Sequence, residues 1–177
     1  MNKGNDLKVE KIETSFGSSN DIEGLCAGHK KNTIYIACKG KAEINDNGVN
    51  GRAVYEYDIT NMVLNDNPVI NLTSSEFTSW LKDNQLNPRS HMPFKPSGIA
   101  VHPVTGDVFL IASVGALLIV INKDGDLVSL SPLKKSLLIQ PEGICFDEEG
   151  NLFISSEGRG KPGYILRFNA IKTRDQN

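Results

Sequence analysis

Cysteine is scarce in this 177-residue chain: there are three, an odd number, with no CxxC spacing. That pattern indicates neither a disulfide framework nor a zinc site. An excess of one charge is missing too, since 19 Lys+Arg stand against 21 Asp+Glu. A net charge of -2 gives no electrostatic reason to expect nucleic acid or an anionic membrane as partner. No run approaches the roughly 20 apolar residues of a membrane span. The opening Met1-Asn2-Lys3-Gly4-Asn5-Asp6 lacks the apolar stretch of a secretory leader. As written, the chain is expected to be soluble and without a signal peptide. Helical periodicity is also sparse, which turns attention to strands.

What the chain has is a segment that occurs three times. The copies are Asp21-Ile22-Glu23-Gly24-Leu25-Cys26-Ala27, Pro96-Ser97-Gly98-Ile99-Ala100-Val101 and Pro141-Glu142-Gly143-Ile144-Cys145-Phe146. A polar turn and a strand-like run follow each: Thr33–Cys38, Asp107–Ala112 and Asn151–Ser156. A third apolar run comes next, over Ala53–Tyr57, Leu117–Ile121 and Tyr164–Phe168. Gly98 and Gly143 lie about 45 residues apart, within the roughly 40–50 of a four-stranded propeller blade. Gly24 and Gly98 lie about 74 apart, so the first unit carries an insertion of about thirty residues.

The pattern predicts an all-β fold of three consecutive four-stranded antiparallel blades, over approximately residues 17–73, 94–131 and 138–170. Turn residues such as Asn122-Lys123-Asp124-Gly125 separate the runs, and 16 glycines and eight prolines supply them. Several runs lack clean alternation, as expected of sheets packed on both faces. Fourth strands are weaker, at Pro68–Leu72 and Leu127–Leu130, and the third unit shows none that is convincing. One helix is expected near Ser75–Asn84, inside an insertion of approximately residues 74–93. There Thr73-Ser74-Ser75-Glu76 offers a capping box, Phe77, Trp80 and Leu81 share a face, and Asn87-Pro88 ends the run. Residues 8–16 alternate like a half-exposed strand, placed as the outer strand of a preceding blade. Cys26, Cys38 and Cys145 read as small buried strand residues, and His29, His91 and His102 as exposed turn or loop residues.

The ordered motifs resemble the SdiA-regulated family of bacterial β-propellers. Those that carry the likeness are Asp21–Leu25 with Ile36-Ala37-Cys38-Lys39-Gly40, then Pro96–Pro103 with Thr105-Gly106-Asp107. The third set is Gln140–Ile144 with Phe146-Asp147, Gly150-Asn151-Leu152 and Ser156–Gly160. The resemblance runs from about Asp21 to Phe168 and implies six-bladed propellers of the TolB or regucalcin type, of which this chain matches the C-terminal half. Three blades fall below the roughly four to eight that close a ring, so the expectation is a fragment, with a two-copy ring or an open array as alternatives. The resemblance also implies that full-length relatives are exported or associated with the cell envelope.

In an up-and-down meander, loops alternate between the two ends of a sheet. The segment entering strand one and the loop joining strands two and three therefore share an end. That end is predicted to carry Glu23, Lys39 and Lys41 from the first blade. The second contributes Ser97, Ser113 and Gly115, and the third Glu142, Glu157 and Arg159. Glu23 and Glu142 at the channel mouth are a candidate pair for a hard cation such as Ca²⁺, which takes six to eight oxygens. Regucalcin-like propellers use a channel-mouth glutamate in this way, so the resemblance supports calcium as the candidate cofactor. The competing reading has these acids accepting backbone N–H bonds or pairing with Lys39 or Arg159.

No Ser-His-Asp or Cys-His order has a convincing context, and Gly158–Gly163 joins two strands rather than feeding a phosphate-binding helix. No catalytic residue is assigned. The favoured function is a non-enzymatic module binding an unknown small molecule, glycan or protein. The alternative is a calcium-dependent hydrolase of lactonase or phosphoesterase type. Self-association through exposed blade edges is expected.

Overall fold

The computed structural model describes residues 9–84 and 94–170. The first repeat forms β1 (Ile22–Ala27), β2 (Thr33–Cys38), β3 (Arg52–Asp58), β4 (Val63–Leu64) and β5 (Ile70–Leu72). Then come α1 (Ser74–Asp83) and the second repeat, β6 (Gly98–Val101), β7 (Val108–Ala112), β8 (Leu117–Ile121) and β9 (Leu127–Pro132). The third repeat is β10 (Gln140–Phe146), β11 (Leu152–Glu157) and β12 (Tyr164–Phe168). All pairings are antiparallel between neighbours in sequence, apart from β5, which returns to β3. These are three meander sheets of a propeller, as the spacing of the repeats requires.

Two blades depart from the regular four strands. In the first, the outer strand is interrupted: β4 pairs with Tyr57 and Asp58, β5 with Arg52 to Val54, and the chain bows out between them. Only the β5 half was expected, because Asn65-Asp66-Asn67-Pro68 reads as a break rather than as a detour along one edge. The third blade has three strands among the described residues, β10-β11-β12, not the expected four. Residues 9–16 form no strand, contrary to the outer strand expected there. Instead Phe16 packs edge-on against Tyr55, with ring centroids 5.5 Å apart.

The inner strands β1, β6 and β10 lie side by side along one line, β6 in the middle. This accounts for the glycine of the first two repeats, while a Cβ on Gly143 would meet Ser155 of its own blade. A Cβ on Gly24 would stand 2.8 Å from the Ala37 Cβ and 3.0 Å from Ile99 of the next blade. One on Gly98 would stand 2.8 Å from the Glu142 carbonyl oxygen. The blades approach there too closely for any side chain.

Between the first two blades lies the main core: Tyr35, Ala37 and Val54 face Ile99, Leu110, Ile119 and Ile121. Full burial of one such aliphatic side chain contributes about 1.5–3 kcal/mol. Helix α1 forms as expected, its Thr73 cap receiving the Glu76 N–H while the Glu76 carboxylate accepts the Thr73 N–H. It buries Phe77 and Leu81 against the rim of this core, with Trp80 partly buried beside them. The helix-ending Asn87-Pro88 and His91 lie outside the described residues. Between blades two and three a smaller core joins Ile111 and Leu138 to Ile154.

The outer flanks differ. On the first blade, Cys38, Ala53 and Tyr55 are covered by Ala42, Ile44 and Val49 from the β2–β3 connection, with Phe16 alongside. On the third blade the outward face is open: Ile165 is 69% exposed, and the Arg167 guanidinium lies 5.8 Å from the centre of the Phe153 ring. Cys145 shares that face and is exposed, contrary to the buried position expected for it, because no further sheet covers β10. Cys38 is buried and Cys26 half-buried. Burial pushes the Cys26 thiol up to about 12, against a smaller opposing hydrogen bond with the Val101 backbone, and pushes Cys38 up to about 11.

Candidate functional site

The two ends of the array are unequal. The turns at one end, residues 28–32, 59–62, 102–107, 122–126 and 147–151, are each no longer than about six residues. The other end carries the long β2–β3 connection, residues 39–51, and the start of α1 at residues 73–74. Long loops on a rigid scaffold are where binding residues concentrate. The sequence-derived candidates all sit on elements that reach this end.

Glu23 and Glu142 occupy the same structural position. The β1–β2 register shifts between Ile22 and Gly24, and the β10–β11 register shifts between Pro141 and Gly143. Each glutamate is therefore the extra residue of a β-bulge, a device that re-aims a side chain out of the ladder. No shift interrupts β6–β7, where Ser97 holds the equivalent place. Ser97 is buried, and its hydroxyl donates to the Pro141 carbonyl oxygen at 2.7 Å. It fastens blade two to blade three and does not face the mouth.

Lys39 meets Glu23 directly. Its Nζ lies 2.5 Å from Glu23 Oε1, with the two side chains 24% and 31% exposed. The Glu23 hydrogen bond holds the ammonium above its ordinary pKa, burial opposes this, and the charges of Glu23, Asp21 and Glu142 reinforce it. The structure thus brings Glu23 and Lys39 together, and sets Glu142 on the equivalent bulge of the third blade. No described donor bonds the Glu142 carboxylate.

Glu157 and Arg159 are exposed at the same end but gather around Gln140. Glu157 pairs with Gln140 in the ladder, and Arg159 Nε donates to Gln140 Oε1 at 3.2 Å. The pairing of Arg159 with a channel-mouth glutamate, one option of the competing reading, is not formed among the described residues. Ser113 is half-buried, Gly115 turns the chain at φ 100, and Lys41 is exposed.

Lys39 is held on a stiff backbone. The N–H groups of Lys39, Gly40 and Lys41 donate in succession to the carbonyls of Asp21, Asn20 and Ser19. A Cβ on Gly40 would stand 2.2 Å from the Ser19 carbonyl oxygen, so only glycine allows this approach. Asn20, 2% exposed, binds the Lys41 and Glu43 carbonyls through Nδ2 at 2.9 and 3.0 Å and receives the Gly17 N–H on Oδ1. Arg52 adds its Nε to the Phe94 carbonyl and its Nη1 to that of Gly40. Burial lowers the Arg52 pKa. Asn20 and Arg52 went unnoticed in sequence because their partners are main-chain atoms far along the chain, and Gly40 was noticed only as part of a family motif.

The donor set does not fit a calcium ion. Two carboxylates on bulges fall short of the six to eight oxygens such an ion takes. Glu23 is engaged by an ammonium, and no three His, Cys, Asp or Glu among the described residues stand together as metal ligands. The described histidines are at the opposite end. His29 receives the Tyr35 hydroxyl and contacts the Gly106 carbonyl across the blades. His102 Nδ1 accepts the Val104 and Thr105 N–H groups, and its ring packs against Phe109 and Phe146. His29 is exposed in its turn, as expected, while His102 is half-buried.

Among solved structures, the chain is similar to a candidate gluconolactonase, with a TM-score of 0.51 and 15% identity over 89% of this chain and 48% of that one. It is also similar to a luciferin-regenerating enzyme, with a TM-score of 0.50 and 14% identity over 85% of this chain and 45% of that one. The chain thus spans about half the length of these structures, and at such identity the likeness is one of fold. No curated protein sequence matches it. Among the described residues no helix is long and apolar enough to cross a membrane. The family model for SdiA-regulated proteins matches residues 47–164, most of the second and third blades together with β3 to α1 of the first. On that match, and on a propeller fold reached independently from the coordinates, the chain belongs to the SdiA-regulated family.

Proposed function

We propose that this chain is a non-enzymatic binding module that takes a polar ligand at the end carrying Glu23, Lys39, Glu142, Glu157 and Arg159. The observation that supports it is co-location: the long β2–β3 connection, the two bulged glutamates and the Lys39–Glu23 pair share one end. The other end has only tight turns. Glu142 offers an acceptor and Arg159 a donor at the surface, which suits a ligand with hydroxyl, amine or carboxylate groups, such as a glycan or a polar peptide segment. A hydrolytic alternative of lactonase or phosphoesterase type draws on the named structures of the same architecture. It needs an activated water and a base placed beside it. The mouth supplies Glu142 for that task, while the described histidines stand at the far end.

Amide chemical shifts of the isotopically labelled chain, titrated with a library of glycans and polar small molecules, test the reading. Shifts confined to residues 21–24, 38–41, 140–143 and 157–160, and weakened in Glu142→Gln, are the expected result. Binding that maps to the turns around His29 or His102 would overturn it.

A further inference from the structure

We propose that residues 9–14 of a second copy of this chain add an outer strand to the edge of β12, and that two copies exchange these strands reciprocally.

The second blade supplies the template. There β9 covers the edge of β8, with Ile119 opposite Leu130, Val120 opposite Ser129 and Ile121 opposite Leu127. A register shift after Val120 lets two apolar residues three apart, Leu127 and Leu130, both reach the core. Residues 9–14 carry the same spacing in Val9 and Ile12. Val9 also stands as far ahead of Ile22, the start of β1, as Leu127 stands ahead of Gln140, the start of β10. Yet Val9 is 86% exposed and Ile12 45% exposed. A place that fits them is open on the third blade. Among the described residues β12 is the edge of its sheet, and Phe168 is 43% exposed where Ile121, its counterpart in β8, is buried. Laid on the template, Ile12 opposes Leu166, Val9 opposes Phe168 and Glu13 opposes Ile165. Charge agrees with this register: residues 9–14 hold two acids and one base, and residues 161–168 two bases and no acid. Lys11 falls opposite Arg167, but Glu13, already paired with Lys11, stands diagonal to the guanidinium and within reach of it.

The strand must come from another copy. Phe16 is anchored on Tyr55, on the outward flank of the first blade, and the Gly17 N–H is bonded to Asn20. From Phe16 back to Ile12 the chain spans at most roughly 14 Å. β12 lies two sheets away, at about 10 Å for each. The sequence beyond β12 offers no substitute: spaced from β12 as β9 is from β8, Arg174-Asp175-Gln176-Asn177 has no apolar residue. Two copies together bring enough blades for the roughly four to eight that close a ring.

Analytical ultracentrifugation of the chain, with oxidative cross-linking in a Cys145→Ser background, tests this. Wild type should show a monomer–dimer equilibrium. Val9→Asp/Ile12→Asp should weaken the dimer by roughly tenfold or more, because each position loses an apolar contact. At low concentration that variant should melt like wild type, since both side chains are exposed in the single chain. Glu13→Cys/Ile165→Cys should oxidise to a disulfide-linked dimer, since opposite residues of a ladder have Cβ atoms about 4.5–5.5 Å apart. Thr14→Cys/Ile165→Cys sets the thiols on opposite faces and should not. A wild type that stays monomeric at high micromolar concentration, or assembles beyond a dimer, would overturn the proposal. So would an unweakened dimer in the double aspartate variant, a disulfide closed within one chain, or equal cross-linking of the two cysteine pairs.

Discussion

Asn20→Ala isolates the joint on which the mouth is built. The side chain is almost wholly buried and makes three hydrogen bonds, from Nδ2 to the carbonyls of Lys41 and Glu43 and from the Gly17 N–H to Oδ1. Each bond contributes on the order of 1 kcal/mol net, and a buried group left without a partner costs about 1–3 kcal/mol. Water can reach part of the vacated space, so the lower end of that range applies and the sum is roughly 3 kcal/mol. For a domain of this size 1 kcal/mol moves the melting temperature by about 2–4 °C, giving an expected fall of roughly 6–12 °C. Urea unfolding should show a lower midpoint with an unchanged slope, because the surface exposed on unfolding is the same. Asn20→Asp should be no better, since it keeps Oδ1 but turns a carboxylate toward two carbonyl oxygens. A loss below about 1 kcal/mol for Asn20→Ala would refute the reasoning, because one exposed hydrogen bond accounts for that much. It would mean that the 39–43 segment is seated by its backbone ladder alone.

Gly98→Ala should cost about 1–3 kcal/mol in urea unfolding, since its Cβ would strike the Glu142 carbonyl oxygen and push blades two and three apart. Gly48→Ala, with nothing within 4 Å, should lose only the cost of its positive φ. In a thiol-labelling assay one cysteine, Cys145, should react quickly, and Cys26 and Cys38 should react only on unfolding. Because the Cys26 and Cys38 thiols are pushed up to about 12 and about 11, their contribution to stability is full below the ordinary value of 9.0. It is lost as pH rises from there, so Cys26→Ala should flatten the alkaline limb of a stability profile. Light scattering should detect concentration-dependent self-association through the open face of the third blade, and Ile165→Lys should reduce it. A chain that stays monomeric at high concentration would remove that expectation.

The fold was legible because its signal is repeated. Three copies of a glycine-marked strand, each followed by a turn and two apolar runs, leave few architectures open, and the capping box at Thr73 and Glu76 reported the helix on local chemistry alone. The split outer strand of the first blade was hidden because β4 has two residues and its pairing with Tyr57 and Asp58 is a matter of register. At the site, loop alternation sufficed to place Glu23, Lys39 and Glu142 at one end. It could not separate Ser97 from them, since a buried serine bonded to a carbonyl of the next blade has the same address in the repeat as an acid on a bulge. Nor could it reveal that Arg159 turns to Gln140, a choice made by side-chain reach rather than by spacing.

The unequal flanks of the array give it a direction. The loop that carries Lys39 continues across Cys38, Ala53 and Tyr55, so the same stretch of chain that furnishes the mouth also seals one side. On the far side, Ser155 and Arg167 replace the Ile111 and Val120 of the preceding repeat, and Ile165 remains apolar where Leu118 stood. A surface joining the third blade on that side would meet a mixed palette rather than a dry one. Any such neighbour would be selected by a guanidinium and a hydroxyl as much as by greasy contact, which ties the recognition of the next sheet to chemistry and not to shape alone.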